Sequence, residues 1–397
     1  MGTGVLASLG YHMGSAAGSA ITKIHPATYI MLALALRWGG GEKSLAYLPR
    51  WKSDNGIALQ LLLLIALIAI YLYAVDSFSS ISFMLDTLVT PVLILLIFRG
   101  YSPAAKRLMR AVALYGILVN SLLAILERLL AVNFFPIATT YGDVFRSTSL
   151  LGHPLNNALI TLVFVLYVLV VNIAIQRKML LLCVLNLALI CFGARGALFT
   201  SVLATLLLFI LPLLVSTKSY YQAMNKTIVL MGVAGLGIAL AYLTLNTPIG
   251  ERLVQASFYD DSSEVRTLAL SMLDFDNLDH YLGATAAADI ERLSYANGVE
   301  IIENFFIIWI LRFGIVLAGL LLLLYSYTLY RYSTIRYAYE RFAVVALLLL
   351  GASTNNSLAT NTQVLSFFIL LFCTANGPLE KDIKNKLKIV KSLNKPG

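Results

Sequence analysis

Five arginines stand where an apolar chain has little use for charge: Arg128, Arg146, Arg195, Arg266 and Arg312. A guanidinium keeps its charge and offers a planar fork that grips two phosphate oxygens at once. Arg195 is the sharpest case. Phe192-Gly193-Ala194-Arg195-Gly196-Ala197 reads as a tight glycine-flanked hairpin, where no helix-stability argument asks for arginine. Arg128 follows Glu127 near the end of an apolar run, so pairing with a carboxylate or snorkelling explains it as well as ligand binding does. Arg312 comes nine residues after Glu303 and has two readings of its own, a ligand contact or neutralisation of an acidic neighbour. Arg146 opens a polar stretch that runs through Gly152-His153-Pro154-Leu155-Asn156-Asn157. The ordinary pKa of histidine, about 6.5, suits His153 to acid–base work. Its place before Pro154 equally suits a hydrogen bond at a helix start.

The carboxylates are concentrated elsewhere. Thr247 to Asn304 is the only long polar stretch, with eleven carboxylates against Arg252, Arg266 and Arg292. A loop of more than about a dozen residues is usually functional or disordered. The apolar spacing of Val265, Leu268, Leu270, Met272 and Leu273 predicts a folded helical cap instead. Glu303, where the cap meets the next apolar run, is placed to act as a general base, with Asp260, Asp261 and Glu264 in reserve. Those three oxygen donors also suit Mg or Ca, but a solvated acidic face accounts for them more simply. Asp274, Asp276 and Asp279 resemble the opening of a calcium loop that lacks its central glycine and terminal glutamate. No metal or other cofactor is expected. Ser353 to Ser357, with Thr360, Asn361 and Thr362, suits either sugar hydroxyls or a helix terminus.

The elements that carry these residues are apolar. The 397 residues are 59% hydrophobic and only 12% charged, with a mean hydropathy of +0.83. Soluble domains are about 25% charged. The chain therefore reads as an all-α polytopic membrane protein, and its net charge of +9 does not signal nucleic acid. A spanning helix needs roughly 20 apolar residues. About twelve runs approach that length: 3–21, 25–38, 57–75, 81–98, 109–133, 153–175, 179–194, 196–215, 227–245, 303–326, 342–359 and 363–377. Gly10, Gly14 and Gly18 in the first run have the small-residue spacing that lets helices approach closely. Lysine and arginine favour cytoplasmic loops. With both termini inside, 21 of the 29 basic residues fall on that side, six of them in the tail. The acidic cap then faces outward. The chain divides into helices at 1–246, the cap at 247–302, helices at 303–379 and a basic tail at 380–397. The tail is expected to lie on the inner leaflet, held by anionic lipid. Tyr325 to Tyr339, rich in tyrosine and arginine, is expected to form an interfacial belt. Cys183, Cys191 and Cys373 lie within apolar runs as packing residues.

In order along the chain stand Arg146 with Gly152-His153-Pro154-Leu155-Asn156, the Gly-Ala-Arg-Gly-Ala hairpin at Arg195, Glu264-Val265-Arg266 in the long loop, and Glu303-Asn304-Phe305-Phe306 running to Arg312-Phe313-Gly314. This pattern resembles the bacterial O-antigen ligase and polysaccharide polymerase superfamily. The resemblance implies a GT-C-like architecture of about twelve transmembrane helices with one large periplasmic loop, in the inner membrane. It further implies inverting, metal-independent glycosyl transfer from an undecaprenyl-pyrophosphate-linked glycan to a glycan acceptor. A chain-length regulator or flippase would be a possible partner. Arg195 and Arg266 match the arginines that hold the pyrophosphate, with Glu303 as the catalytic carboxylate. Arg146, Arg128, Arg312, His153, Asn304 and Asn156 would be substrate-binding. Ligases of this group usually carry histidine just before the asparagine, where this chain has Glu303, and that departure favours the polymerase branch. The alternatives are a ligase acting on a lipid A core or other acceptor, a transporter or flippase, and a membrane scaffold whose cap binds partners. The absence of an evident internal repeat weighs against a transporter.

Overall fold

The computed structural model describes residues 3–11, 21–39, 55–76, 81–135, 145–215, 220–247, 250, 268–273, 276, 285–299 and 301–374. These residues form helices and connecting turns, with no strand among them. In chain order the helices are α1 (Thr3–Ser8), α2 (Pro26–Gly39), α3 (Gly56–Asp76) and α4. Helix α4 runs from Ile81–Phe83 through a π-helical Met84–Val89 into Thr90–Arg99. Then come α5 (Pro103–Leu130), α6 (Pro154–Val170), α7 (Ile175–Phe192) and α8, which begins Arg195–Thr205 and continues through a π-helical Leu206–Ile210 to Leu211–Val215. The series closes with α9 (Tyr220–Asn246), α10 (Ala287–Ala296) in the cap, α11 (Phe305–Tyr332), α12 (Ala338–Ser353) and α13, which is Val364–Phe368 with a π-helical Ile369–Cys373.

Six of these helices are long and apolar enough to cross a membrane, and Pro26–Arg37, Pro154–Val170 and Val364–Cys373 are shorter apolar helices. Large apolar side chains are exposed along α3 (Leu63, Leu67, Ile70) and α5 (Leu108, Val112, Leu122, Leu129). Water would oppose so extensive an apolar surface; the pattern is that of a polytopic helical membrane protein. Eleven of the twelve apolar runs contain a helix that covers most of the run. In the first run, α1 ends at Ser8 and Gly10 sits in a left-handed turn with φ 85°. Gly10 therefore does not begin a helical glycine stripe; Gly14 and Gly18 lie outside the described residues.

Helix α6 is the hub, packed against α7, α8, α12 and α13. Its residues from Asn157 to Leu169 are all buried, which is why its sequence is apolar on every face. Pro154 starts it at a position where the missing N–H is harmless. Its far end is closed by Lys178, whose Nζ donates to the Leu169 carbonyl at 2.8 Å. Lys106 similarly donates to the carbonyl of Arg99 at 2.9 Å, where α4 ends. The Arg99 guanidinium lies over the Tyr332 ring at 4.8 Å. Basic side chains thus close helix C-termini at one end of the array. The expected belt departs at Tyr325, which is buried and donates its hydroxyl to the Leu88 carbonyl at 3.2 Å, while Tyr327, Tyr337 and Tyr339 are exposed.

Candidate functional site

The opposite end gathers the polar stretches singled out in the sequence. Helix α7 stops at Gly193, whose φ of 66° is left-handed, and two residues later Arg195 opens α8. The turn is tight because Gly196 packs on the crossover between α12 and α13. A Cβ on Gly196 would lie 2.1 Å from Thr354 Oγ1. The next crossover residue, Asn355, accepts the Phe305 N–H on its carbonyl at 3.1 Å. Asn304 caps α11 by accepting from Phe306 N at 2.9 Å and Ile307 N at 3.4 Å. Thr354-Asn355 therefore joins the Arg195 turn to the Glu303-Asn304 turn through backbone neighbours. Helix α8 has Ala194 as N-cap and no side-chain capping bond. The first-turn N–H groups of a helix favour anions, and Arg195 stands at that position.

Arg146 arrives from a third direction. Ser147 N donates to the Cys191 carbonyl near the end of α7 at 3.3 Å, and Ser147 Oγ donates to the Ala124 carbonyl at 2.7 Å. The 145–151 segment is held by Glu127, a fully buried carboxylate that accepts Thr148 N at 2.9 Å, Ser149 N at 2.8 Å and Phe134 N at 2.9 Å. Asn120 Nδ2 donates to Asn157 Oδ1 at 2.9 Å, and Asn157 Nδ2 donates to the Thr148 carbonyl at 2.6 Å. Glu127, Asn120 and Asn157 are thus the scaffold of this segment, a role that reading the arginines alone does not reveal. Their signal was there: polar residues inside apolar helices must be satisfied by partners. Arg128 joins the same scaffold. Its guanidinium donates to the Phe145 carbonyl and lies 5.7 Å from the Phe145 ring centre. Asn156 is half-buried beside Asn157, and the His153 carbonyl accepts the Asn157 N–H at 3.0 Å.

Arg312 sits apart from that join, with its guanidinium 5.3 Å from the Phe83 ring centre at the start of α4. Two residues on, Gly314 leaves the helical region at φ 75° and ψ 158°. The break loosens the carbonyl ladder above it, and the Leu311 carbonyl accepts Thr285 N from the cap at 3.2 Å. Ala269, Met272, Ile290, Val299 and Ile302 from the cap pack with Ile307 and Leu311 in a small apolar core of their own. The described cap residues are therefore seated on the first half of α11. Arg266, Asp260, Asp261, Glu264, Asp274 and Asp279 lie outside the described residues, as does the basic tail from Glu380. Asp276 is exposed. No cluster of three or more metal-ligating side chains occurs among the described residues. The three cysteines are free thiols.

No family model, curated protein or solved structure matches this chain.

Proposed function

We propose that this protein is a glycosyltransferase of the outer face of a bacterial inner membrane, which polymerises glycan repeat units carried on undecaprenyl pyrophosphate. The observation that carries the reading is the join at Thr354-Asn355, which ties the turn bearing Arg195 to the turn bearing Glu303 and Asn304. Displacing a pyrophosphate requires stabilisation of developing negative charge by preorganised donors. Arg195 at the uncapped start of α8 supplies a cation and helix N–H groups together. A base must come within hydrogen-bond reach of the attacking hydroxyl, and Glu303, across the join, is the candidate. Arg146 would add to the phosphate cradle, as would Arg266 from the cap, and Arg312 and His153 would contact the substrate farther from the reacting bond. The donor would be the lipid-linked glycan and the acceptor a second glycan. With Glu303 in place of histidine, polymerisation is favoured over ligation to a lipid A core. The test is purified protein supplied with lipid-pyrophosphate glycan and followed for free lipid pyrophosphate and longer glycan. Product that forms only on addition of a lipid A core would give the ligase reading.

One observation favours a second reading, a transporter or flippase. Helix α11 is broken at Gly314 beside Arg312, and broken helices are a recurrent feature of transport sites. Movement of the intact lipid-linked glycan across vesicle membranes without bond formation would establish it.

A further inference from the structure

A second polar cluster lies beside this join, on the side facing α4. Asp86, in the π-helical turn of α4, is fully buried. Its carboxylate accepts His25 N at 3.0 Å and 3.1 Å, Thr28 Oγ1 at 2.6 Å and Asn361 Nδ2 at 2.8 Å. Asn361 Nδ2 also donates to the Lys23 carbonyl at 2.9 Å. The neighbouring Thr87 grips the same crossover twice, donating to the Thr360 carbonyl and accepting Thr362 N at 3.0 Å. Three polar links thus fix residues 360–362 to α4. The other end of the crossover, Thr354-Asn355, carries the Arg195 and Glu303 turns, and between the two ends Trp309 Nε1 donates to the Leu358 carbonyl at 3.1 Å.

The packing makes this crossover decisive for spacing. Helices α8 and α11 do not pack extensively on one another; each packs against α12, which leads into the crossover. A buried carboxylate surrounded only by donors is costly unless its geometry is retained. Apolar side chains would pack these helices without it. Local helix stability does not ask for Asp86 either, since a π turn is a rare and weaker conformation.

We propose that Asp86, acting through Asn361 and Thr87, is a positioning residue: it clasps the 354–362 crossover to α4 and so sets the spacing between Arg195 and Glu303. The clasp itself is independent of any reaction, but its catalytic consequence rests on the glycosyltransferase reading. Asp86→Ala strands several buried donors and risks misfolding, so the informative variants are Asn361→Ala and Thr87→Val.

Spin labels at Phe199→Cys and Ile301→Cys, both exposed positions in the natural protein, report the spacing in the full chain with Cys183 replaced by serine. The expected result is a narrow distance distribution that widens or shifts in Asn361→Ala and Thr87→Val, at unchanged helical content. With the undecaprenyl-pyrophosphate oligosaccharide extracted from the producing cells, kcat is expected to fall about 10- to 100-fold, as a displacement near 1 Å does, while KM stays within about twofold. A distance distribution unchanged in both variants overturns the clasp. A widened distribution with kcat unchanged overturns its catalytic role. If the natural protein forms no product yet the distribution widens, the clasp stands and the glycosyltransferase reading falls.

Discussion

Replacing Gly196 with alanine tests the join at its tightest point. The added Cβ would lie 2.1 Å from Thr354 Oγ1, 2.3 Å from its Cβ and 2.5 Å from its Cγ2. Carbon atoms in contact sit about 3.5–4.0 Å apart, so the shortfall exceeds about 1 Å. Rotating the threonine moves Oγ1 and Cγ2, but its Cβ is fixed by the backbone. The start of α8 and the end of α12 must therefore separate. Overpacking of this kind costs about 1–3 kcal/mol, and a misplacement near 1 Å can lower turnover about 100-fold. The assay is thermal unfolding in nanodiscs alongside release of lipid pyrophosphate. The compensating change is specific. Thr354→Gly in the Gly196→Ala background removes all three clashing atoms and is expected to restore both stability and turnover, whereas Thr354→Ala keeps the clashing Cβ and is expected to restore neither. A Gly196→Ala protein as stable and active as the natural one, or equal rescue by both threonine variants, would show that close approach of Gly196 to Thr354 does not hold the join.

Other outcomes follow from the same contacts. Gly351→Ala meets Leu162 Cδ2 at 2.4 Å, the movable tip of a side chain, so its cost in thermal unfolding should be smaller than that of Gly196→Ala, about 1 kcal/mol. Glu127→Ala strands two buried N–H groups, those of Thr148 and Ser149, each costing about 1–3 kcal/mol, and frees the partly buried one of Phe134. It should lower the unfolding midpoint sharply and speed amide exchange at Thr148 and Ser149, with Glu127→Gln intermediate. Gly314→Ala forces a side chain into a backbone region nearly reserved for glycine, at about 1–3 kcal/mol. Its signature should be faster exchange at Thr285 N as the cap loses its carbonyl, alongside reduced thermal stability.

Much of this architecture is legible in the chain because the hydropathy of a membrane helix depends on local composition alone. Pro103, Pro154 and the asparagine at 304 mark helix starts, and Gly193 marks an end, in agreement with their capping roles. The first run misleads because its composition permits a helix that the left-handed turn at Gly10 ends. The π turns are invisible to a period of 3.6, since a single wide turn barely shifts the pattern. The Arg195 hairpin stands out because glycines flank a charge. Asp86 was equally visible as a lone carboxylate in an apolar run between Met84 and Leu88. It bears no positive charge to suggest a phosphate, although any ionisable residue in such a run calls for a partner or a function. Which backbone each carboxylate holds, as Glu127 holds 145–151, depends on contacts between residues far apart in the chain, and no local pattern encodes them.

The most direct test is single-turnover transfer in liposomes, comparing the natural protein with Arg195→Ala on an undecaprenyl-pyrophosphate oligosaccharide. A lost oxyanion-stabilising donor typically costs about 100- to 1,000-fold in rate. The expected result is one lipid pyrophosphate released for each repeat unit joined, and a loss of that size in Arg195→Ala with folding intact. Elongation undiminished in Arg195→Ala, or lipid-linked glycan that crosses the membrane with no glycosidic bond formed, would contradict it.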